Sequence, residues 1–209
     1  MRFQTLYEGR WIFCVLFLMI PFFIWIRPAL VFIPLLLILF CINFFRDPDR
    51  TAPSDPKSIV SAADGTVTAI EELDENEVTH TRMKRIAVFL SVFNVHTNRA
   101  PMDGTVIYTK HFPGTYLDAR NPESSKKNEA MTWAFKNSET TLVVRQITGA
   151  IARRIVAWSN LGDSLKKGAR FGMIRFGSRT EVYLPLNCQI MVKPGDKVKG
   201  GETIVAKLP

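Results

Sequence analysis

Three cysteines and three histidines are spread through 209 residues without clustering. Cys14 and Cys41 fall inside an apolar block and Cys188 stands alone in the remainder, so no disulfide framework is implied and a reducing compartment is expected. His80, His96 and His111 are isolated and no CxxC or Cys/His spacing occurs, so no metal site is expected. No G-x-S-x-G elbow surrounds a serine, which argues against a hydrolase of that kind. A phosphate-binding glycine loop is also missing. The formal net charge is +8, yet no basic stripe with interleaved aromatics stands out, so nucleic acid is not an expected partner.

What is present is unevenly spread. The chain is 47% hydrophobic, and much of that lies in "WIFCVLFLMIPFFIWIRPALVFIPLLLILFCINFF", residues 11–45. Arg27-Pro28 divides the block into two halves, each slightly short of the roughly 20 apolar residues of a perpendicular span. Together they read as a membrane-associated helical hairpin over 1–45, either spanning or re-entrant. Arg2 and Arg10 precede it and Arg46 and Arg50 follow it, which places both ends on the cytoplasmic face of the cell membrane. The run is too long for a cleaved signal peptide and no small-residue cleavage site follows it. "RDPDRTAPSDPKS", 46–58, reads as an extended linker.

Residues 59–209 carry β signals. "IVSAADGTVTAI" and "NRAPMDGTVIYT" each hold an Asp-Gly pair of the hairpin type, at 64–65 and 103–104. "TTLVVRQITGAIARRIVAW" is a further strand-rich run, with a bend offered at Gly149-Ala150 and a second half open to helix or strand. Two echoes recur. "ADGTVTAI" resembles "MDGTVIYT", and "LGDSLKKGARFGMI" resembles "PGDKVKGGETIVAK". Such Gly-Asp and Lys-Gly punctuation makes tight turns between short strands. The expected class is mainly β, a compact β-sandwich or barrel-sandwich-hybrid-like domain preceded by the helical hairpin. "NPESSKKNEAMTW", 121–133, reads as a loop or mobile segment near a site entrance.

Singly, the candidate residues have plain structural readings. Gly177-Ser178 in "RFGSRTEVYLP" is a turn, Asp64 a hairpin residue, and His96 a strand-end side chain. Together, "SAADG", "FNVHTNRAPMDG" and "RFGSR" resemble the phosphatidylserine decarboxylase family in its short prokaryotic membrane-bound form. "FFRDPDR", "ITGAIARRIV", "GDSLKKGARFGMIRFGSRTEVYLP" and "VKPGDKVKGGETIVA" follow in the family's order, so the resemblance covers almost the whole chain.

The resemblance implies that the Gly177–Ser178 bond is cut by the chain itself, giving a β chain, 1–177, and an α chain, 178–209. Ser178 then becomes a pyruvoyl group, the cofactor that forms a Schiff base with the substrate amine. Asp64 and His96 are implied as the relay that activates Ser178, with Asp64 preferred to Asp103 by resemblance alone. The implied reaction converts phosphatidylserine to phosphatidylethanolamine with release of CO2. The partners implied are phosphatidylserine in the membrane and the two chains of one precursor; a homo-oligomer stays open. Longer members carry a second histidine where Phe93 stands here. Arg179 replaces their threonine. Arg179 and Arg99, with Arg153 and Arg154, are candidates for contacting the lipid's phosphate or carboxylate, beside the reading that each is a solvated charge. The competing class is a non-catalytic, membrane-anchored carrier or adaptor with a biotinyl-like fold, although the Met-Lys-Met of such carriers is missing.

Overall fold

In the computed structural model, which describes residues 3–150 and 154–209, the apolar N-terminal block is helical. It comprises α1 (Phe3–Glu8), α2 (Arg10–Ile26) and α3 (Phe32–Phe44). A residue before proline is biased to extended backbone, and Arg27, at φ −161° and ψ 105°, ends α2. Pro28 then opens a single 3-10 turn, Pro28–Val31, where its missing N–H costs nothing. Phe13 of α2 lies 6.1 Å from Phe45, just past α3, so the chain doubles back. Trp11, Leu18, Trp25 and Leu39 are each more than half exposed. No helix among the described residues is long and apolar enough to cross a membrane. The break at Arg27-Pro28 thus stands where the sequence placed it, but the structure shows no membrane-spanning hairpin.

Residues 50–209 form a second unit. It begins with β1 (Ser58–Val60), β2 (Gly65–Glu75), β3 (Thr81–Leu90), β4 (Thr97–Arg99) and β5 (Gly104–Phe112). The short helix α4 (Ser124–Lys127) leads to β6 (Ala130–Lys136), β7 (Thr141–Thr148) and β8 (Ile155–Ala157). Then follow β9 (Ser164–Leu165), β10 (Arg170–Ile174), β11 (Ser178–Pro185), β12 (Gln189–Ile190), β13 (Lys197–Val198) and β14 (Ile204–Lys207). Eight strands, in the order β13-β2-β3-β11-β7-β6-β5-β9, make one antiparallel sheet that curls into a half-barrel. Two three-stranded sheets, β1-β14-β12 and β4-β10-β8, accompany it.

The two sequence echoes are the two halves of this architecture. Gly195 N–H donates to the Val67 carbonyl (2.8 Å) and Val67 N–H to Asp196 (2.9 Å). In the other half Gly162 N–H donates to Val106 (2.8 Å) and Val106 N–H to Asp163 (2.9 Å). Gly162 and Gly195 share φ of 94° and 96°, and Gly168 and Gly201 share 80° and 79°. The sheet of β1 and β14 matches that of β4 and β10 in the same way. Neither Asp-Gly pair is a two-residue hairpin, contrary to expectation. Each glycine starts a strand, and a Cβ on Gly65 would meet the Phe89 carbonyl at 2.1 Å.

Strand alternation sorts β11 between two environments. Val182 and Leu184 join the main core with Ile86, Val88, Trp133, Val144 and Phe171, whereas Tyr183 belongs to a smaller cluster with Met83, Ala134 and Val143. The segment expected to be a loop over 121–133 is loop only in part. Its end lies in β6, and Trp133 is fully buried, edge-on to Phe171 at 5.1 Å.

Candidate active site

The link from β10 to β11 bends sharply. Phe176 and Gly177 have φ of 60° and 68°. Left-handed backbone costs a residue with a Cβ about 1 kcal/mol or more, so the strain falls on Phe176 while Gly177 follows freely. The bend delivers Ser178 to the head of β11, in the middle of the large sheet, opposite Leu90 of β3 and Thr148 of β7. Its side chain is fully buried, and its Oγ has no hydrogen-bond partner among the described residues. An unsatisfied buried hydroxyl costs about 1–3 kcal/mol. A fold tolerates that at few positions, and reactive ones are among them.

His96 faces the same bend. Its Nδ1 lies 2.9 Å from the Asn94 carbonyl, which can only accept, so Nδ1 carries the proton. Nε2 accepts the Gly177 N–H at 3.1 Å, so it presents a lone pair to the segment next to Ser178. The His96 carbonyl also accepts from Ile174 N–H (3.3 Å), which pins the bend on both sides. Asn94 is itself fixed, since its Oδ1 accepts from the N–H and the hydroxyl of Ser91 at 2.9 and 2.7 Å.

A buried polar chain ties β4 to the large sheet nearby. Trp133 Nε1–H donates to Gln146 Oε1 (2.7 Å), Gln146 Nε2 to Asn98 Oδ1 (2.7 Å), and Asn98 Nδ2 to Thr180 Oγ1 (3.1 Å). It thus joins the residue two after His96 to the residue two after Ser178.

Gly149 closes the arrangement. A Cβ there would stand 2.6 Å from the Gly177 carbonyl oxygen and 3.3 Å from its carbon. Gly149 and Gly177 also line a pocket of about 290 Å³ with Phe89, Val92, Arg120 and Phe176. A second pocket, of about 360 Å³, lies beyond Ser91 and is lined by Asp64, Asn94, Lys197 and Lys199. Among the described residues no group of His, Cys, Asp and Glu is placed to hold a metal ion.

This constellation sits inside a recognised sequence family. The family model for phosphatidylserine decarboxylase matches residues 37–206. The phosphatidylserine decarboxylase proenzyme of Pelobacter propionicus is 44% identical over 174 residues, covering 83% of this chain and 79% of that protein. The proenzyme of Porphyromonas gingivalis is 43% identical over 180 residues, covering 85% and 81%. This chain belongs to the phosphatidylserine decarboxylase family. Against that family, the site residues expected from sequence fall into three groups.

Ser178, Gly177 and His96 converge. Asp64 does not join them by a hydrogen bond. Its carboxylate accepts from Arg50 Nη2 (2.8 Å) and from Gly200 N–H (2.8 Å). Asp103 makes the matching bond in the other half, accepting Lys167 N–H at 2.8 Å. Both aspartates therefore brace a glycine turn. They differ in surroundings, because Asp64 shares a pocket with Asn94, whose carbonyl orients His96.

Arg179 and Arg99 point elsewhere. Arg179 is one residue out of phase with Ser178, is buried, and lies 3.0 Å from Glu181. Burial pushes its guanidinium pKa down, against the pull of Glu181. Arg99 is buried, donating to the Gly168 carbonyl at 3.0 Å. Neither lines the pocket at Gly177. Arg154 is exposed, and Arg153 lies outside the described residues. Sequence reasoning missed Asn94 and Gly149. The first acts through a backbone carbonyl, which residue type does not report, and the second through a cross-strand approach that reads locally as a bend.

Proposed function

We propose that this chain is the precursor of a pyruvoyl-dependent decarboxylase, which cuts itself between Gly177 and Ser178 and converts phosphatidylserine to phosphatidylethanolamine and CO2. The observation that carries the reading is the buried, unpartnered Ser178 hydroxyl beside a left-handed Gly177 whose N–H is held by His96.

A serine hydroxyl is a weak nucleophile until a base takes its proton. His96 has the tautomer required, with its lone pair on the Nε2 side of the bend. Ser178 Oγ attacks the Gly177 carbonyl carbon, and its proton passes through His96 to the Ser178 nitrogen as the peptide C–N bond breaks. The product is an ester joining Gly177 to the Ser178 side chain. Loss of the Ser178 Cα proton then expels Gly177 as a carboxylate. The dehydroalanine left at 178 tautomerises, takes up water and releases ammonia, leaving a ketone on the new N-terminus. Asp64 assists from the Asn94 side of His96.

The ketone supplies an electron sink for decarboxylating an amine-bearing headgroup, which no ordinary side chain provides. The chain's own residues fit that group. Leu90, Val92 and Phe176 give the pocket at Gly177 an apolar wall that limits water. His96 is the candidate proton donor to the carbon that loses CO2.

The same proposal places the enzyme on a membrane. The exposed apolar residues of α2 and α3 favour a lipid setting, with 46–58 as linker and the catalytic unit on the cytoplasmic face. A basic chain is drawn to anionic lipid. The carrier-like alternative has no use for a buried reactive serine. The test is CO2 release from carboxyl-labelled phosphatidylserine in vesicles by purified full-length protein. Wild type should release label and Ser178→Ala should not. Equal release from both would sink the proposal.

A further inference from the structure

The pocket at Gly177 is nearly all apolar, and among the described residues its only charged lining residues are Asp118 and Arg120. The Arg120 side chain is 71% exposed. It donates from Nη2 to Asp118 Oδ2 (2.6 Å) and from Nε to Asp118 Oδ1 (3.1 Å), and its guanidinium carbon is 5.9 Å from the Phe89 ring centre. At about 290 Å³ the pocket lies at the small end of ligand sites, roughly 300 Å³. That suits a polar headgroup and leaves acyl chains outside.

Exposed ion pairs contribute little, about 0–1 kcal/mol, so a guanidinium can exchange one for a ligand anion at small cost. Its planar fork matches a carboxylate or a phosphate. The arginines favoured from sequence are engaged elsewhere: Arg179 beside Glu181 and Arg99 at the Gly168 turn. We infer that Arg120 is the anchor for the anionic group of the substrate headgroup, gripping it at the pocket while the amine is presented to residue 178. The pocket around it is apolar, which strengthens such a contact once a ligand excludes water. Asp118, held down to about 2 by the neighbouring Arg120, stays a carboxylate at every working pH and keeps Arg120 aimed until ligand arrives.

The inference rests on the decarboxylase reading, and two measurements keep the two separable. In the first, Arg120→Gln is compared with wild type in mixed micelles of phosphatidylserine. Self-cleavage should be unchanged, KM should rise about tenfold, kcat should stay within about twofold, and Arg120→Lys should recover part of the loss. An unchanged KM, or a fall confined to kcat, overturns the inference. The second needs no turnover. Glycerophosphoserine and glycerophosphoethanolamine are titrated into the uncleaved full-length Ser178→Ala chain with and without Arg120→Gln. If Arg120 holds the phosphate, both ligands weaken about tenfold; if it holds the carboxylate, only the serine compound does. Weakening of neither overturns the inference, whether or not the wild type releases CO2.

Discussion

Gly149 lies so close to Gly177 that a single added Cβ would stand 2.6 Å from the Gly177 carbonyl oxygen. The contact is between backbones across the sheet, so no flexible side chain can give way. Gly149→Ala should displace the carbonyl and slow self-cleavage about 100-fold, the scale of a 1 Å misplacement. Hydroxylamine cleaves esters, so it should release no fragment from this variant, whose block precedes the ester. Wild-type processing of Gly149→Ala on a time-course gel contradicts this placement.

His96→Ala removes the lone pair that faces the bend. Loss of a general base costs about 10²–10⁴-fold, so the chain should accumulate uncleaved. Imidazole added to the buffer should restore part of the rate, a response that a purely structural lesion does not give. Processing of His96→Ala at the wild-type rate removes the residue from the relay.

Asp64 and Asp103 form a built-in control. Each accepts one N–H of a glycine turn at 2.8 Å, in matched places of the two halves. Asp64→Ala, which also strands the buried Arg50 side chain, should cost about 1–3 kcal/mol for the donors left behind, more than Asp103→Ala at its exposed position, readable by denaturant melts. Only Asp64→Ala should slow self-cleavage, because only Asp64 shares a pocket with Asn94. Equal processing in the two variants assigns Asp64 to architecture alone.

Much of the architecture was legible in advance. The two Asp-Gly and two Gly-Asp-x-hydrophobic-Lys segments mark the matched halves, and the glycines of the longer pair carry the positive φ that fixes the turns. Ser178 and His96 were legible only in combination, through their resemblance to one family. The engagement of Asp64 by Gly200 was not, because it joins residues 136 positions apart in the chain, nor was its pairing with Arg50 of a stretch that reads as linker. Trp133 was hidden by its polar neighbours, as β6 begins after the Lys126-Lys127 end of α4, past Asn128 and Glu129. The placement of Arg120 beside Gly177 rests on a loop fold that carries no periodic signal.

Stability should fall in acid through Glu75. Burial pushes this carboxyl up, but it accepts N–H bonds from Thr79, Glu77 and Val78 and the Thr79 hydroxyl, and together these hold it below its ordinary value. Its contribution is full above the usual carboxylate range, about 4.3, and disappears as pH drops through the lower folded-state value. Glu75→Gln should cost about 1–2 kcal/mol at pH 7, with the gap to wild type closing below about pH 4. A gap independent of pH contradicts this assignment.

The central claim is that Ser178 ceases to be serine, and end-group chemistry on the mature protein tests it most directly. Purified protein should yield a fragment with the mass of 178–209 and a blocked N-terminus. Reductive amination with ammonium and cyanoborohydride should convert the terminal ketone to alanine, so that sequencing then reads Ala-Arg-Thr-Glu-Val. A single intact chain from active membranes, or a fragment that reads Ser-Arg-Thr-Glu-Val without treatment, contradicts the account.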